Sequence, residues 1–150
     1  MLSEEIIMDY FVEGQIRNRQ VVEEYIPKLI KGLGMQRLKK PYVEVCFVNN
    51  LDAFGLCEGD KDYAKISIAK KCPVSGRKLG FVEMMQCLAH EMVHARQFIR
   101  GQLEAEGAWK WKGRNADGYD YENQPWEKEA YRLERELFLD CFPHHAEFKN

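Results

Sequence analysis

The sequence feature that most constrains the fold is a short polar pattern inside an apolar stretch. His90-Glu91-Met92-Val93-His94 lies within a helical pattern from Phe81 to Arg100, and Gly101 follows as a typical helix-terminating residue. Residues four apart on an α-helix lie on one face, one turn apart, so both imidazoles can reach the same point. Burying two histidines and a glutamate without partners would cost on the order of a few kcal/mol. We therefore expect the two histidines to share a metal ion.

The pattern also indicates the chemistry of such a site. Imidazoles at this HExxH spacing are typical zinc ligands, and Glu91 between them can take a proton from water that the metal activates. Manganese, iron, cobalt and nickel accept the same ligands, but zinc is the default prediction. A catalytic zinc site needs a third protein ligand, and the longer HExxHxxGxxH pattern is absent because Gln97 and Arg100 replace its glycine and last histidine. The downstream candidates are acidic residues and one histidine pair: Glu104, Glu106, Asp117, Asp120, Glu122, Glu127, Glu129, Glu134 and His144-His145.

The rest of the chain predicts a single α+β domain over residues 1–150. Apolar spacing favours helix over residues 3–32, with Ser3 as a possible N-cap and a kink or break near Pro27. Alternating β-branched and aromatic residues predict strands at 42–48 and 63–69, with an apolar stretch at 53–57 between them. A final helix is expected over residues 126–139, with Pro125 at its first turn. The predicted architecture is N-terminal helices, a small, mostly antiparallel sheet, the HExxH helix and a C-terminal ligand helix.

Two segments together carry a resemblance to a known family. HEMVHARQ at residues 90–97, a stretch with tryptophan and glycine, and PWEKEA at residues 125–130 are similar to the gluzincin zinc metallopeptidases, in particular to minimal phage-type members. The resemblance covers about residues 80–131. By position it implies Glu127 as the third zinc ligand. Glu129 is the competitor, and because it points ~200° away from Glu127 on the same helix, only one of them can face the metal.

Aromatic residues near the expected ligand helix are candidates for contacts at the active site or for packing. Tyr131 stands four residues after Glu127, where the wider clan often has an acidic residue or asparagine that supports a ligand histidine. As a candidate catalytic residue, it could donate a hydrogen bond to a ligand or to the oxyanion. Tyr121 and Tyr119 are candidates either for polarising the scissile carbonyl or for packing. Trp109 and Trp111 would line an edge strand that pairs with a peptide substrate, or pack in the core.

Charge and cysteine usage limit the partners. The chain has 22 basic and 24 acidic residues that are interspersed, with a formal net charge of −2, which argues against a nucleic-acid partner. The first residues lack a secretory pattern, and no apolar stretch approaches the ~20 residues of a membrane span. Five cysteines without a CxxC pair fit reduced thiols. We expect a cytoplasmic protein, in the host cytoplasm if it is phage-encoded.

The expected function is zinc-dependent hydrolysis of a peptide or protein substrate, with Glu91 as the general base. Two alternatives remain open at this stage. One is a narrow regulatory protease with a single partner substrate, and the other is a zinc-containing interaction protein without catalysis. Glu91 argues against the second, because a purely structural site has no use for a base between its histidines.

Overall fold

The structure is a computed structural model that describes residues 5–150, so the predicted N-cap Ser3 lies outside the described residues. Its longer elements are β1 (Asp9–Glu13), α1 (Arg19–Gly32), β2 (Tyr42–Val48), β3 (Gly55–Gly59), β4 (Tyr63–Ala69), α2 (Phe81–Ile99) and α3 (Pro125–Cys141). Three two-residue strands lie between the last two helices: β5 (Leu103–Glu104), β6 (Lys110–Trp111) and β7 (Arg114–Asn115). A 3-10 turn at Tyr121–Asn123 precedes α3. The predicted α+β class is confirmed.

The first predicted helix is wrong over its N-terminal part, where β1 pairs with β2 in parallel. The apolar spacing that suggested a helix is also compatible with a strand, and pairing with β2 decides the outcome. The chain leaves β1 at Gly14, whose φ of +87° is a conformation that favours glycine. Pro27 lies inside the single helix α1 rather than at a break. Proline removes the usual donor to the Glu23 carbonyl, and the Tyr10 hydroxyl donates to that carbonyl at 3.4 Å.

The main sheet is mixed, which corrects the expectation of a mostly antiparallel one. Its strand order is β1-β2-β4-β3, with β1-β2 and β2-β4 parallel and only β3-β4 antiparallel. Helix α1 provides the crossover that parallel strands require between β1 and β2. Strand β4 lies between β2 and β3 in the sheet. Strands β2 and β3, although consecutive in the chain, therefore do not form a hairpin. The strands β5, β6 and β7 form a separate, antiparallel sheet.

One face of the main sheet and the three helices enclose the principal core. Alternate side chains of β2 and β4 are buried, and α2 packs against β3, β4 and α3. Almost the whole of α2 is buried, which explains why its apolar residues surround the HExxH pattern. Among the described residues, no helix has the length and apolar character needed to cross a membrane. The buried helix α2 and its neighbour α3 carry the residues discussed next.

Candidate metal centre

The buried helix α2 and the start of α3 bring the predicted ligand atoms together. His90 and His94 lie on successive turns of α2 and are 7% and 6% exposed, and Glu127 lies in the first turn of α3. Pro125 at the start of α3 has a backbone angle suited to a first helical turn, and Trp126 is buried beside it. The carboxylate of Glu127 therefore meets the histidine-bearing face of α2.

The three side chains converge on one point. Oε1 of Glu127 lies 2.9 Å from Nε2 of His90 and 3.1 Å from Nε2 of His94. Their possible ligand atoms all lie within 4.8 Å of one another, and within residues 5–150 no other group of three such side chains does so. Ligands at tetrahedral zinc are separated by ~3.3 Å, given bond lengths of about 2.0–2.1 Å. The Glu127 oxygen is therefore already near this spacing from both imidazole nitrogens, and the donor set fits a divalent metal ion.

Glu129, the alternative ligand, faces away from this point. Its Oε1 accepts a hydrogen bond from Nε2 of Gln97 at 3.1 Å and lies 3.5 Å from a guanidinium nitrogen of Arg96. The structure thus separates the two glutamates as the helical geometry predicts, with Glu127 at the histidines.

Gln97 holds His94 in one orientation. This glutamine is fully buried, and its Oε1 accepts a hydrogen bond from Nδ1 of His94 at 2.8 Å. Its Nε2 donates to the Trp126 carbonyl at 3.0 Å and to Glu129. With one proton held on Nδ1 by Gln97, His94 needs only to release the proton that its Nε2 shares with Glu127 in order to present a lone pair to a metal. Gln97 therefore links both ligand-bearing helices.

His90 has an acidic neighbour on its other side. Oε2 of Glu134 lies 3.6 Å from Nδ1 of His90. Glu134 is seven residues after Glu127, so two turns of α3 place both carboxylates on the same face. Such a carboxylate beside a ligand histidine is the usual orienting partner at metal sites.

The ionisation of the three converging side chains reflects this arrangement. Burial lowers the pKa of His90, but its hydrogen bond with Glu127 and its contact with the Glu134 carboxylate outweigh burial and raise the pKa to about 9. Burial also lowers the pKa of His94, but its hydrogen bond with Glu127 outweighs this effect, so the pKa is raised. Burial raises the pKa of Glu127, but the two histidines outweigh it and lower the pKa to about 2. The Glu127 carboxylate and the two imidazoles are thus electrostatically coupled, and a divalent cation would take the place of the protons they share.

Glu91 lies between α2 and the edge strand β3. Its side chain is 6% exposed, and a Cβ added at Gly55 would lie 2.9 Å from its Oε2. Burial raises the pKa of Glu91, whereas the nearby charges of His94 and His90 lower it. A carboxylate with a raised pKa accepts a proton more readily, as a general base must.

The two tyrosines predicted near the site contact each other. The hydroxyl oxygens of Tyr121 and Tyr131 are 3.2 Å apart, and the Tyr131 ring packs edge-on against His90 with centroids 4.6 Å apart. Burial, and then the contact with Tyr131, raise the pKa of Tyr121. Tyr119 instead packs edge-on against Trp126. Tyr121 and Tyr131 thus place two hydroxyl groups on the solvent side of the histidines.

The tryptophans form a cluster at the start of α3. Trp109 stacks on Trp126 with centroids 5.5 Å apart, and Trp111 packs against the same ring at 6.1 Å. Trp109 is nevertheless 40% exposed. Packing around Trp126 fixes the residue directly before Glu127, so the cluster supports the candidate metal centre structurally.

The remaining candidates lie elsewhere. His144 packs against Phe138 and Phe142, and His145 lies 3.7 Å from Glu24. In the described part of the chain, the other acidic candidates do not join the converging group: Glu104, Glu106, Asp117, Asp120 and Glu122. All five cysteines are free thiols.

The sequence did not indicate that two residues, Gln97 and Glu134, would contact the histidines. The sequence singled out Gln97 only as the residue that replaces the glycine of the HExxHxxGxxH pattern, although its spacing of three from His94 places the two side chains on one face. Glu134 was considered only as a possible ligand. Neither role could be assigned before the relative position of α2 and α3 was known.

Comparison with known proteins does not assign a family. No protein-family model matches the chain, and no curated protein matches its sequence.

Proposed function

We propose that this protein is a zinc-dependent peptidase with a gluzincin-type arrangement, in which His90, His94 and Glu127 hold the metal. The observation that carries the proposal is the convergence of these three side chains beside the buried carboxylate of Glu91. A bound zinc ion would supply a Lewis acid that acidifies water and polarises a carbonyl group. Zinc is preferred among divalent metals because two imidazoles and one carboxylate are the ligand set of many hydrolytic zinc sites.

In the proposed mechanism Glu91 takes the proton of the attacking water and delivers it to the leaving amine. Its raised pKa suits a group that must hold and then release a proton. Gln97 and Glu134 keep the imidazoles oriented. The hydroxyl groups of Tyr121 and Tyr131 are candidates for donating to the carbonyl oxygen as negative charge develops on it.

The edge strand β3 is the proposed binding place for the peptide. It is the last strand of the main sheet and has no partner strand on its outer side among residues 5–150. An extended peptide paired with β3 would pass Gly55, whose Cα lies close to Glu91. Trp109 and Trp111 are further candidates for contacts with the substrate. A peptide or protein chain is therefore the expected substrate class.

The test compares the parent protein with Glu91→Gln on a defined peptide mixture, read by mass spectrometry. We expect cleavage by the zinc-loaded parent and a loss of at least about 100-fold in Glu91→Gln, because proton transfer contributes roughly 10²–10⁴-fold. The variant should keep its zinc, since Glu91 is not a ligand. Equal cleavage by both proteins would contradict the assigned base.

The same experiment separates the two alternatives. A parent that binds zinc but cleaves neither the mixture nor any protein of a cell extract would favour a non-catalytic interaction protein. Cleavage of one extract protein alone, abolished in Glu91→Gln, would identify a narrow regulatory protease.

A further inference from the structure

A cavity separate from the candidate metal centre lies at the N-terminal end of α2. Its volume is about 500 Å³, within the usual range of small-ligand pockets. Its walls come from the segment before α1, the loop between β4 and α2, the first turn of α2 and the last residues of the chain. Gly80, at this end, is ten residues before His90, so the two sites are separated by ~15 Å along the helix.

The lining of this cavity is strongly basic. Six cationic side chains contribute to it, from four separate stretches of the chain: Arg17, Lys70, Lys71, Arg77, Lys78 and Lys149. Glu83 is the single acidic side chain among the lining residues. It forms a two-pronged ion pair with Arg77, with both N–O distances at 3.1 Å. Within residues 5–150, no carboxylate lies within ion-pair distance of the other five cations.

Backbone pairing forces two of these cations together. Lys71 and Lys78 face each other across an antiparallel bridge, and the backbone N–H of Leu79 donates to the Lys70 carbonyl at 2.9 Å. A further backbone bond from Cys72 to the Arg77 carbonyl closes the loop. Like charges directly opposite each other on paired strands are destabilising. A bound anion would relieve this repulsion.

The N-terminus of α2 is not itself the binding group. Its first backbone N–H, that of Phe81, already donates to Oδ1 of Asn150 at 2.8 Å, and the N–H of Gly80 donates to Glu83. The Asn18 side chain both donates to the Lys149 carbonyl and accepts from the Lys149 N–H, which fixes this wall of the cavity. The cationic side chains, rather than the helix terminus, therefore give the cavity its charge.

Apolar side chains contribute the remaining wall. Ile16, Leu79, Phe81 and Met84 line the same space. A ligand consisting of phosphate alone would leave this surface unused. From the cluster of unpaired cations beside an apolar wall, we propose that this cavity binds a small organic phosphate of about nucleotide size. This assignment is independent of the proposed peptidase function.

The proposal is tested by titrating the full chain with ADP, pyrophosphate and adenosine in a calorimeter at low ionic strength. We expect ADP to bind more tightly than pyrophosphate, and adenosine to bind weakest, because the cations dominate and the apolar wall adds to them. The double variant Lys71→Ala/Lys78→Ala should weaken ADP binding by at least about tenfold, or roughly 1.4 kcal/mol. This double variant leaves the candidate metal centre intact. Binding of ADP through a zinc ion at that centre would therefore be the same in the variant as in the parent.

The matched control is Lys39→Ala/Lys40→Ala, which removes the same charge from exposed lysines that do not line the cavity. An equal loss in both double variants would overturn the proposal, because it would show non-specific attraction. Absence of ADP binding, or equal affinity for ADP and pyrophosphate, would also overturn it. Tighter binding of a short single-stranded oligonucleotide than of ADP would replace it with a nucleic-acid surface.

Discussion

At the scale of single residues, the candidate metal centre depends on which of two neighbouring glutamates turns toward α2. Glu127 contacts both histidines, whereas Glu129 contacts Gln97 and Arg96. The two carboxylates are only two positions apart, so the helical rotation between them decides their roles. Glu129 still contributes indirectly, because it accepts a hydrogen bond from the glutamine that orients His94.

Replacing each glutamate by alanine should therefore have different effects on metal binding. Glu127→Ala removes a ligand, and we expect its zinc affinity to fall by more than about 100-fold. Glu129→Ala removes only a distant partner and should retain near-stoichiometric zinc. Elemental analysis after dialysis, together with competition against a zinc chelator, measures both. Loss of zinc in Glu129→Ala with retention in Glu127→Ala would reverse the ligand assignment.

Gln97 is the residue whose replacement best tests the orienting network. Gln97→Met keeps the volume of the side chain but removes hydrogen bonds to His94, Trp126 and Glu129. We expect zinc affinity to fall by about 10–100-fold, as for other partners of ligand histidines. The exposed Gln86 on the same helix provides the control, because Gln86→Met changes no contact of the site. Unchanged zinc affinity in a folded Gln97→Met protein would contradict this role.

At the scale of elements, the sequence predicted those whose pattern is local. The strands at residues 42–48 and 63–69 match β2 and β4, and the helix from Phe81 ends one residue before the expected Arg100. Gly101 has the positive φ of 71° expected just past a helix end. The start of α3 at Pro125 also agrees with the prediction.

Elements that depend on distant partners were not predicted. Strand β1 exists because it pairs with β2, about 30 residues later in the chain. The parallel pairing of β2 with β4 follows from the position of β3 at the sheet edge, which no local pattern encodes. The same limit applies to the site. HExxH identified His90, Glu91 and His94, whereas Gln97 and Glu134 acquire partners only when α2 and α3 pack.

The close packing of β3 on α2 leads to a prediction at Gly55. A Cβ there would lie 2.6 Å from Sγ of Cys87 and 2.9 Å from both Cγ and Oε2 of Glu91. Gly55→Ala should displace Glu91 and destabilise the fold by about 1–3 kcal/mol through overpacking. We expect peptidase activity to fall while zinc remains bound. Lys65→Ala, on the exposed face of the neighbouring strand β4, is the control, because β4 takes no part in the proposed peptide binding. Full activity in Gly55→Ala would show that Glu91 need not keep this position.

At the scale of the whole molecule, the candidate metal centre joins two helices that the core already holds. The buried Tyr25 of α1 donates to the Met85 carbonyl of α2 at 2.9 Å and packs edge-on against Phe138 of α3. Ala130, Leu137, Phe138 and Cys141 anchor α3 through apolar contacts. The fold therefore does not depend on the metal for its core, and only the first turn of α3 depends on the site directly.

Removal of zinc should consequently lower thermal stability without unfolding the chain. Ligand binding at about 1,000 times its Kd stabilises a protein by ~4 kcal/mol, which corresponds to a Tm change of about 10 °C for a chain of this size. We expect chelation to lower the Tm by this order, to leave the far-UV circular dichroism unchanged at room temperature, and to increase hydrogen exchange mainly in the first turn of α3. Glu127→Ala serves as the control, because its Tm should not respond to chelation. A coil-like spectrum of the parent after chelation would contradict a core that folds independently of the metal, because α1, α2 and the sheet would then depend on the same ion.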